Sequence, residues 1–194
     1  MGSSGAATLL LDDFSSGTFS LGSGGVTSIS QPYVTPLTNE RTVTGVGAPT
    51  WSASLASGEL AYVANNPRPG RNYLEINYSS SSTFSILEFD AFAIDVTSVT
   101  GTGELIVFVD GAPTFEALQL SIAAPGEWVY PTSDLLTGQS LDSISQINVR
   151  FTPVSEDFGV TVDNVRLIPE LSSSLFVAFG ALVTTLRRRR TQAL

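Results

Sequence analysis

The stretch FGVTVDNVRL (158–167) indicates the fold class, because apolar and polar residues alternate along it. An alternation with a period of two is typical of a β-strand that buries one face. In the first half, FGVTV, the alternating apolar residues are at even-numbered positions, whereas in the second half, NVRL, they are at odd-numbered positions. One extra residue in a strand exchanges its two faces, so the sequence predicts a β-bulge around Asp163 and Asn164.

Similar runs occur at short spacing along the rest of the chain, and turn residues separate them. ELIVFVD is apolar at nearly every position, which predicts a strand buried on both faces. The runs before 158 are ATLLLDDF (7–14), TWSASLA (50–56), GELAYVA (58–64), NYLEINY (72–78), FDAFAIDV (89–96), ELIVFVD (104–110), FEALQLSIA (115–123) and ISQINVRF (144–151). The breakers and surface loops that we predict between them include 15–25, 31–40, 65–70, 79–82, 100–103, 110–113 and 124–126.

Many short strands with turns between them favour an all-β fold over alternating strands and helices. We therefore predict one antiparallel β-sandwich of jelly-roll type over residues 8–168. Composition changes at Pro169, and we predict a separate tail over 169–194 that contains a short hydrophobic helix. Residues 1–7 are expected to be a linker, or the remnant of a signal peptide.

Composition excludes several function classes. The chain has no cysteine, histidine or lysine, which excludes disulfides, His-based catalytic triads, zinc sites of the usual kind and Schiff-base chemistry. Residues 1–169 contain 17 acidic residues and five arginines, a net charge of −12. Nucleic-acid binding requires a basic face that neutralises phosphates, so we predict no nucleic-acid partner.

The tail joins a short apolar run to a basic cluster. The run is wholly apolar over nine residues: Leu175, Phe176, Val177, Ala178, Phe179, Gly180, Ala181, Leu182 and Val183. It is short for a membrane span, which usually needs about 20 apolar residues, and a buried core helix is the alternative. Four arginines follow at once: Arg187, Arg188, Arg189 and Arg190. They would hold that end of a membrane helix on the cytoplasmic side, so we favour the membrane over the core.

These tail residues resemble the PEP-CTERM sorting signal of Gram-negative bacteria: Pro169 and Glu170, a serine-rich spacer, the apolar run and the arginine cluster. The DDFS start, the Glu40-Arg41 pair before TVTG, and the DNV finish match that family in general style. The resemblance implies an exosortase-like membrane peptidase as partner, which recognises the tail in the cytoplasmic membrane and releases the body to the cell surface or the exopolysaccharide matrix.

Two features differ from the sorting-signal pattern. Leu171 stands where the motif has its second proline, which relaxes the extended backbone that proline imposes. Attachment to the membrane is therefore better supported than release, and an uncleaved single-pass protein is the alternative. Sorting of this kind also needs an N-terminal secretion signal, and we expect a basic and apolar leader to be encoded upstream of Met1. Ser4-Gly5-Ala6 resembles the small-residue end of such a signal.

Calcium is the only cofactor that the sequence indicates. Calcium binds six to eight oxygen ligands, including carboxylates. Asp12 and Asp13 lie near the start of the body, and Asp163 and Asn164 lie near its end. First and last strands often pair in jelly rolls, so these four residues are a candidate structural calcium site. The alternative is that they face solvent or satisfy the backbone of turns.

Carbohydrate binding is the main alternative to a structural or adhesive role for the body. Sugars stack on exposed aromatic rings, and Trp128 and Tyr130 share one face of the strand EWVYP, where they could form a platform. Paired aromatic residues in a sandwich also serve as core packing. Paired carboxylates can hydrolyse glycosides, and the candidates are Glu75, Glu88, Asp90, Asp95 and Glu104. We predict no catalytic residues, because scattered acidic side chains in an acidic sandwich are typically solvated.

Overall fold

The computed structural model describes residues 7–22, 25–47, 50–65, 67, 71–110, 119–135 and 141–169. Within these ranges the chain forms thirteen β-strands and one 3-10 turn, Thr132–Asp134. The strands are β1 (Leu9–Asp12), β2 (Phe19–Gly22), β3 (Gly25–Pro32), β4 (Glu40–Gly47), β5 (Thr50–Ala56), β6 (Glu59–Asn65), β7 (Tyr73–Phe84), β8 (Phe89–Thr100), β9 (Gly103–Val109), β10 (Leu120–Ile122), β11 (Gly126–Pro131), β12 (Ile144–Pro153) and β13 (Asp157–Pro169).

The strands form two antiparallel sheets that enclose one main hydrophobic core. The seven-stranded sheet has the order β11-β8-β13-β6-β5-β2, and β1 pairs with the second half of β13. The six-stranded sheet has the order β10-β9-β12-β7-β4-β3. The predicted antiparallel β-sandwich is therefore confirmed.

The core consists of the inward-facing residues that the alternation predicts. Ile147, Val149 and Phe151 of β12 are all fully buried. Their register partners on β9, including Val107 and Leu105, are also fully buried. The other face of β9 carries Ile106 and Phe108, which form a second buried cluster, so the prediction of a strand buried on both faces is confirmed.

One glycine is required by the close approach of the sheets. A Cβ atom at Gly45 of β4 would lie 2.1 Å from the ring of Trp51 on β5, in the opposite sheet. Two carbon atoms cannot approach so closely, so glycine at this position lets the indole ring fill the space between the sheets.

The predicted bulge lies in β13. Val162 pairs with Val96 and Asn164 pairs with Asp95, so a step of two residues along β13 matches a step of one residue along β8. The same region is where β1 meets β13, with Asp12 opposite Val165. The expectation that the first and last strands lie side by side is also confirmed.

One predicted loop and one predicted breaker are wrong, and a second loop is shorter than predicted. Residues 15–25 contain β2, whereas residues 33–39 of the predicted loop 31–40 lie between β3 and β4. The serine run 79–82 is part of β7, which continues to Phe84. In both wrong predictions the backbone pairs with a neighbouring strand, and the small polar side chains face partly or fully outward. Pairing therefore overrides the low strand propensity of serine and glycine.

Candidate functional site

The predicted aromatic platform does not lie on the surface. Trp128 and Tyr130 share one face of β11, opposite Ile94 and Phe92 of β8, but this face points into the sandwich. Tyr130 is fully buried, and Trp128 is half-buried against the core. The prediction of a sugar platform is therefore wrong for Tyr130. Alternation identifies the residues that share a face, but it does not identify which face is covered.

The four predicted calcium ligands have different hydrogen-bond partners. Asp12 points into the core and binds an arginine, whereas Asp13 accepts hydrogen bonds from the backbone and hydroxyl of Ser15. Asn164 donates to both Asp95 and Asp163. Among the described residues, no group of three or more acidic side chains is placed to hold a metal ion.

The sorting motif and the tail lie almost entirely outside the described residues. Of the motif, Pro169 is described: it ends β13 and pairs with Phe89. Glu170, Leu171, the apolar run 175–183 and Arg187–Arg190 fall beyond that range. The described part of the chain has no helix with the length and apolarity that a membrane crossing requires.

The outer face of the six-stranded sheet carries a row of one phenylalanine and four polar residues that crosses five strands, here called the amide row. Its members are in register: Phe108 (β9), Asn148 (β12), Asn77 (β7), Thr42 (β4) and Ser30 (β3). Asn77 donates from Nδ2 to Oδ1 of Asn148 at 2.6 Å and to Oε1 of Gln146 at 2.9 Å. The hydroxyls of Ser30 and Thr42 are 2.7 Å apart.

A second row, the arginine row, runs beside the amide row. It contains Ile106, Arg150, Glu75, Thr44 and Ser28 on the same five strands. Arg150 donates from Nε and Nη2 to Oε2 of Glu75, the first at 2.9 Å. Both side chains are about one-fifth exposed.

Two aromatic rings hold the guanidinium of Arg150 in place. Its central carbon lies 4.2 Å from the ring centre of Tyr73 and 5.1 Å from that of Phe108. A guanidinium within about 6 Å of a ring centre is attracted to the π-electrons. The ion pair and the two rings therefore form one ordered cluster on the outer face.

A shallow depression of about 250 Å³ adjoins the amide row at the ends of β3 and β4. Ser30, Gln31, Pro32, Asn39 and Glu40 line it. Hydroxyl, amide and carboxylate groups are therefore available at the margin of the same face.

The interior contains an ion pair that sequence reasoning missed. Nη1 of Arg41 on β4 donates to both carboxylate oxygens of Asp12 on β1, each at 2.9 Å, and so joins the two sheets. The hydroxyl of Tyr78 and the backbone N–H of Phe14 also donate to this carboxylate, at 3.1 and 2.8 Å. Arg41 and Asp12 are 1% and 0% exposed.

The surroundings of this pair satisfy most of its polar groups. Nη2 of Arg41 donates to the backbone oxygen of Ser16 and to Oε1 of Gln31, both at 2.7 Å. The guanidinium carbon lies 4.9 Å from the ring centre of Tyr33. Burial raises the pKa of Asp12, and Arg41 opposes this rise. The sequence signal that could have revealed the pair is parity: Arg41 shares the inward face of β4 with Val43.

The outer face of the seven-stranded sheet is more highly charged. Arg166 donates to Asp95 at 2.6 Å and to Glu127 at 2.7 Å. Of the candidate catalytic carboxylates, Glu75 and Asp95 thus each accept from an arginine, and they lie on different sheets.

Comparisons with known proteins give only structural similarities. No protein-family model matches the sequence, and no curated protein matches it significantly. A family 11 carbohydrate-binding module from a cellulosomal cellulase of Clostridium thermocellum is 16% identical, with a TM-score of 0.44 over 86% of this chain and 96% of that chain. A low-affinity xylan-binding module from Roseburia intestinalis is 14% identical, with a TM-score of 0.46 over 76% and 97%.

An agarase is also similar, at 14% identity and a TM-score of 0.47 over 85% of this chain and 25% of the enzyme. All three TM-scores are below 0.5.

Proposed function

We propose that the sandwich is a non-catalytic module that binds polysaccharide through the outer face of its six-stranded sheet. The amide row carries the proposal. Carboxamides both donate and accept hydrogen bonds, as sugar hydroxyls do, so a row of amide and hydroxyl groups matches a carbohydrate surface. The half-buried ring of Tyr73 lies beside the arginine row, next to Glu75 on the outer face of β7, and offers apolar contact.

The accessible part of the face lies on β7, β4 and β3. Phe108, Asn148 and Ile106, at the other end of the rows, are 3%, 2% and 6% exposed and offer no contact to a ligand. Neighbouring strands lie about 4.8 Å apart, so the three strands span about 10 Å, which accommodates a short stretch of a polysaccharide chain. The hydroxyl-rich ends of the rows on β3 and β4 lead into the depression lined by Asn39 and Glu40.

Affinity electrophoresis in gels that contain dissolved polysaccharides tests the proposal. For a polysaccharide that retards the parent protein, we expect Asn77→Ala to weaken the affinity about tenfold, because Gln146 and Asn148 lose their shared donor. Ser98→Ala is the matched control: Ser98 is a polar residue on the outer face of the other sheet, where it binds Thr161. Equal retardation of the Asn77→Ala variant and the parent would refute binding at this face.

We also propose that the tail sorts the protein to the cell surface. The observations that support this are the Pro169-Glu170 pair, the apolar run and Arg187–Arg190. In this proposal the body is exported, held transiently in the cytoplasmic membrane and released by an exosortase-like peptidase to the surface or exopolysaccharide matrix. The jelly-roll topology and the C-terminal helix remain predictions that accompany it.

The C-terminal mass of the protein from a cell that expresses an exosortase tests the sorting proposal. Cleavage would remove all residues after about Glu170, and Leu171→Pro is expected to increase the cleaved fraction. Replacement of all four arginines by alanine is the control, and it should prevent correct orientation. A protein that keeps its arginines in every case would instead be a permanent single-pass anchor.

A further inference from the structure

We infer that the ligand of this face is an uncharged polysaccharide, and that the face excludes uronate and sulfate polymers. The inference rests on the proposed function and names its substrate class. It depends on how the charges of the face are arranged rather than on the presence of polar groups alone.

The charge of Arg150 is already neutralised. Two of its nitrogen atoms donate to Glu75, and its central carbon lies over the rings of Tyr73 and Phe108. Recognition of a carboxylate or sulfate by arginine usually uses two parallel N–H donors. Glu75 occupies one such pair of donors, on the Nε–Nη2 edge, so an anionic sugar meets a guanidinium whose charge is already balanced.

The remaining charges on the strands of this face are acidic. Glu40 on β4 and Glu104 on β9 flank the rows, and neither is ion-paired to a described residue. The face therefore has three carboxylates and one guanidinium, within a body of net charge −12. Like charges within a Debye length of about 10 Å repel at moderate salt, so an anionic chain is disfavoured.

The accessible uncharged groups of the face can bind hydroxyls without bringing a charge to it. Ser30 is exposed, and Thr42 and Asn77 are partly exposed. Hydroxyl and amide groups both donate and accept hydrogen bonds, as sugar hydroxyls do. Asn148 is only 2% exposed, so it accepts from Asn77 and holds that side chain rather than contacting a ligand.

The test compares neutral and anionic polysaccharides at low salt and in about 1 M NaCl, where the Debye length is only about 3 Å. The probes are mixed-linkage β-glucan, xylan and galactomannan against alginate, polygalacturonate and a sulfated galactan. We expect retardation by at least one neutral polymer, with the same affinity at both salt concentrations. Preferential retardation by an anionic polymer that is lost at high salt would overturn the inference while leaving polysaccharide binding intact.

Glu75→Gln tests the inference through a gain of binding to anionic polymers. This substitution keeps the shape of the side chain and releases the charge of Arg150. We expect binding of the anionic polymers to rise by up to about fivefold at low salt. Glu104→Gln is the matched control, because it makes the same charge change on the same face without an ion pair, and it should produce a smaller rise.

Two further outcomes separate the proposals. If the parent already binds anionic polymers and Arg150→Gln abolishes that binding, Arg150 is an anion receptor and the inference is wrong. If no polymer of either class is retarded by the parent, the proposed function itself fails, and the inference fails with it. Thermal unfolding of each variant confirms that it is folded before its binding is compared.

Discussion

Two arginines of this protein have the same kinds of partner but differ in how far they are exposed to solvent. Arg41 and Arg150 each bind one carboxylate and each lie against two aromatic rings. The pair of Arg41 with Asp12 is almost fully buried and joins the two sheets, whereas the pair of Arg150 with Glu75 is about one-fifth exposed and joins neighbouring strands of one sheet.

The difference lies in what each pair can do. A buried charge must stay paired, because water cannot replace its partner. The inner pair therefore fixes the position of β1 against β4, and it cannot serve a ligand. The outer pair is partly hydrated, so its loss costs the fold little, and it can define which ligands the face accepts.

The largest effect is expected when the inner pair is broken. Asp12→Asn keeps the size of the side chain but leaves the Arg41 guanidinium buried without a counter-charge, which should lower the free energy of unfolding by about 3–5 kcal/mol. Urea unfolding followed by tryptophan fluorescence measures this loss. The double variant Asp12→Leu/Arg41→Met is the control and should lie close to the parent, since a buried ion pair replaced by apolar residues is often neutral. A loss below about 1 kcal/mol for Asp12→Asn would show that the inner pair is hydrated.

Alkaline pH should also act on the inner pair. Burial, and next the charge of Asp12, raise the pKa of Tyr78 well above its ordinary value of 10.0, and the same two causes raise the pKa of Tyr33. Both phenols are favoured in their neutral form in the folded state. Their contribution to stability is therefore complete below about pH 10 and is lost as the pH rises further.

Urea midpoints between about pH 8 and pH 11 measure this loss. We expect the midpoint to fall above pH 10, with phenolate absorbance rising together with unfolding. Tyr78→Phe removes the more buried of the two ionisable groups, so the urea midpoint of this variant should fall less steeply with pH than that of the parent. A midpoint that stays constant across this range would contradict the burial of these phenols.

Breaking the outer pair should have a much smaller effect on stability. Glu75→Ala removes a partly exposed partner, and such pairs contribute at most about 1 kcal/mol. Thermal unfolding should therefore show a change within this range, measured beside Asp12→Asn. A loss as large as that of the inner variant would mean that the two pairs are equivalent and that the outer pair belongs to the core.

The sequence predicted the sandwich because its signal is local. Alternation at 147–151 and 158–167 identifies strands and their faces, and the change of parity identifies the bulge at Asp163. Composition gave wrong predictions where strand pairing determines the structure. β3 and the serine-rich end of β7 contain few apolar residues, but they form backbone hydrogen bonds with neighbouring strands. Local patterns do not contain that pairing.

The candidate site could not be predicted in the same way. Phe108, Asn148, Asn77 and Thr42 come from four separate strands, and only their register places them in one row. Trp128 and Tyr130 show the opposite problem. Their shared face was predicted correctly, but whether that face is inner or outer depends on the sheet that packs against it.

The smallest effect is expected from calcium, and it tests whether the inner pair is intact. A site built from Asp12, Asp13, Asp163 and Asn164 would need the carboxylate of Asp12, whose two oxygens accept from Arg41, Tyr78 and Phe14. A calcium ion would have to separate Arg41 from its counter-charge in the core. We therefore expect the same thermal midpoint in calcium and in a chelator. If calcium raises the midpoint of the parent but not of Asp163→Ala, the carboxylates rearrange to bind the ion and the inner pair is not fixed.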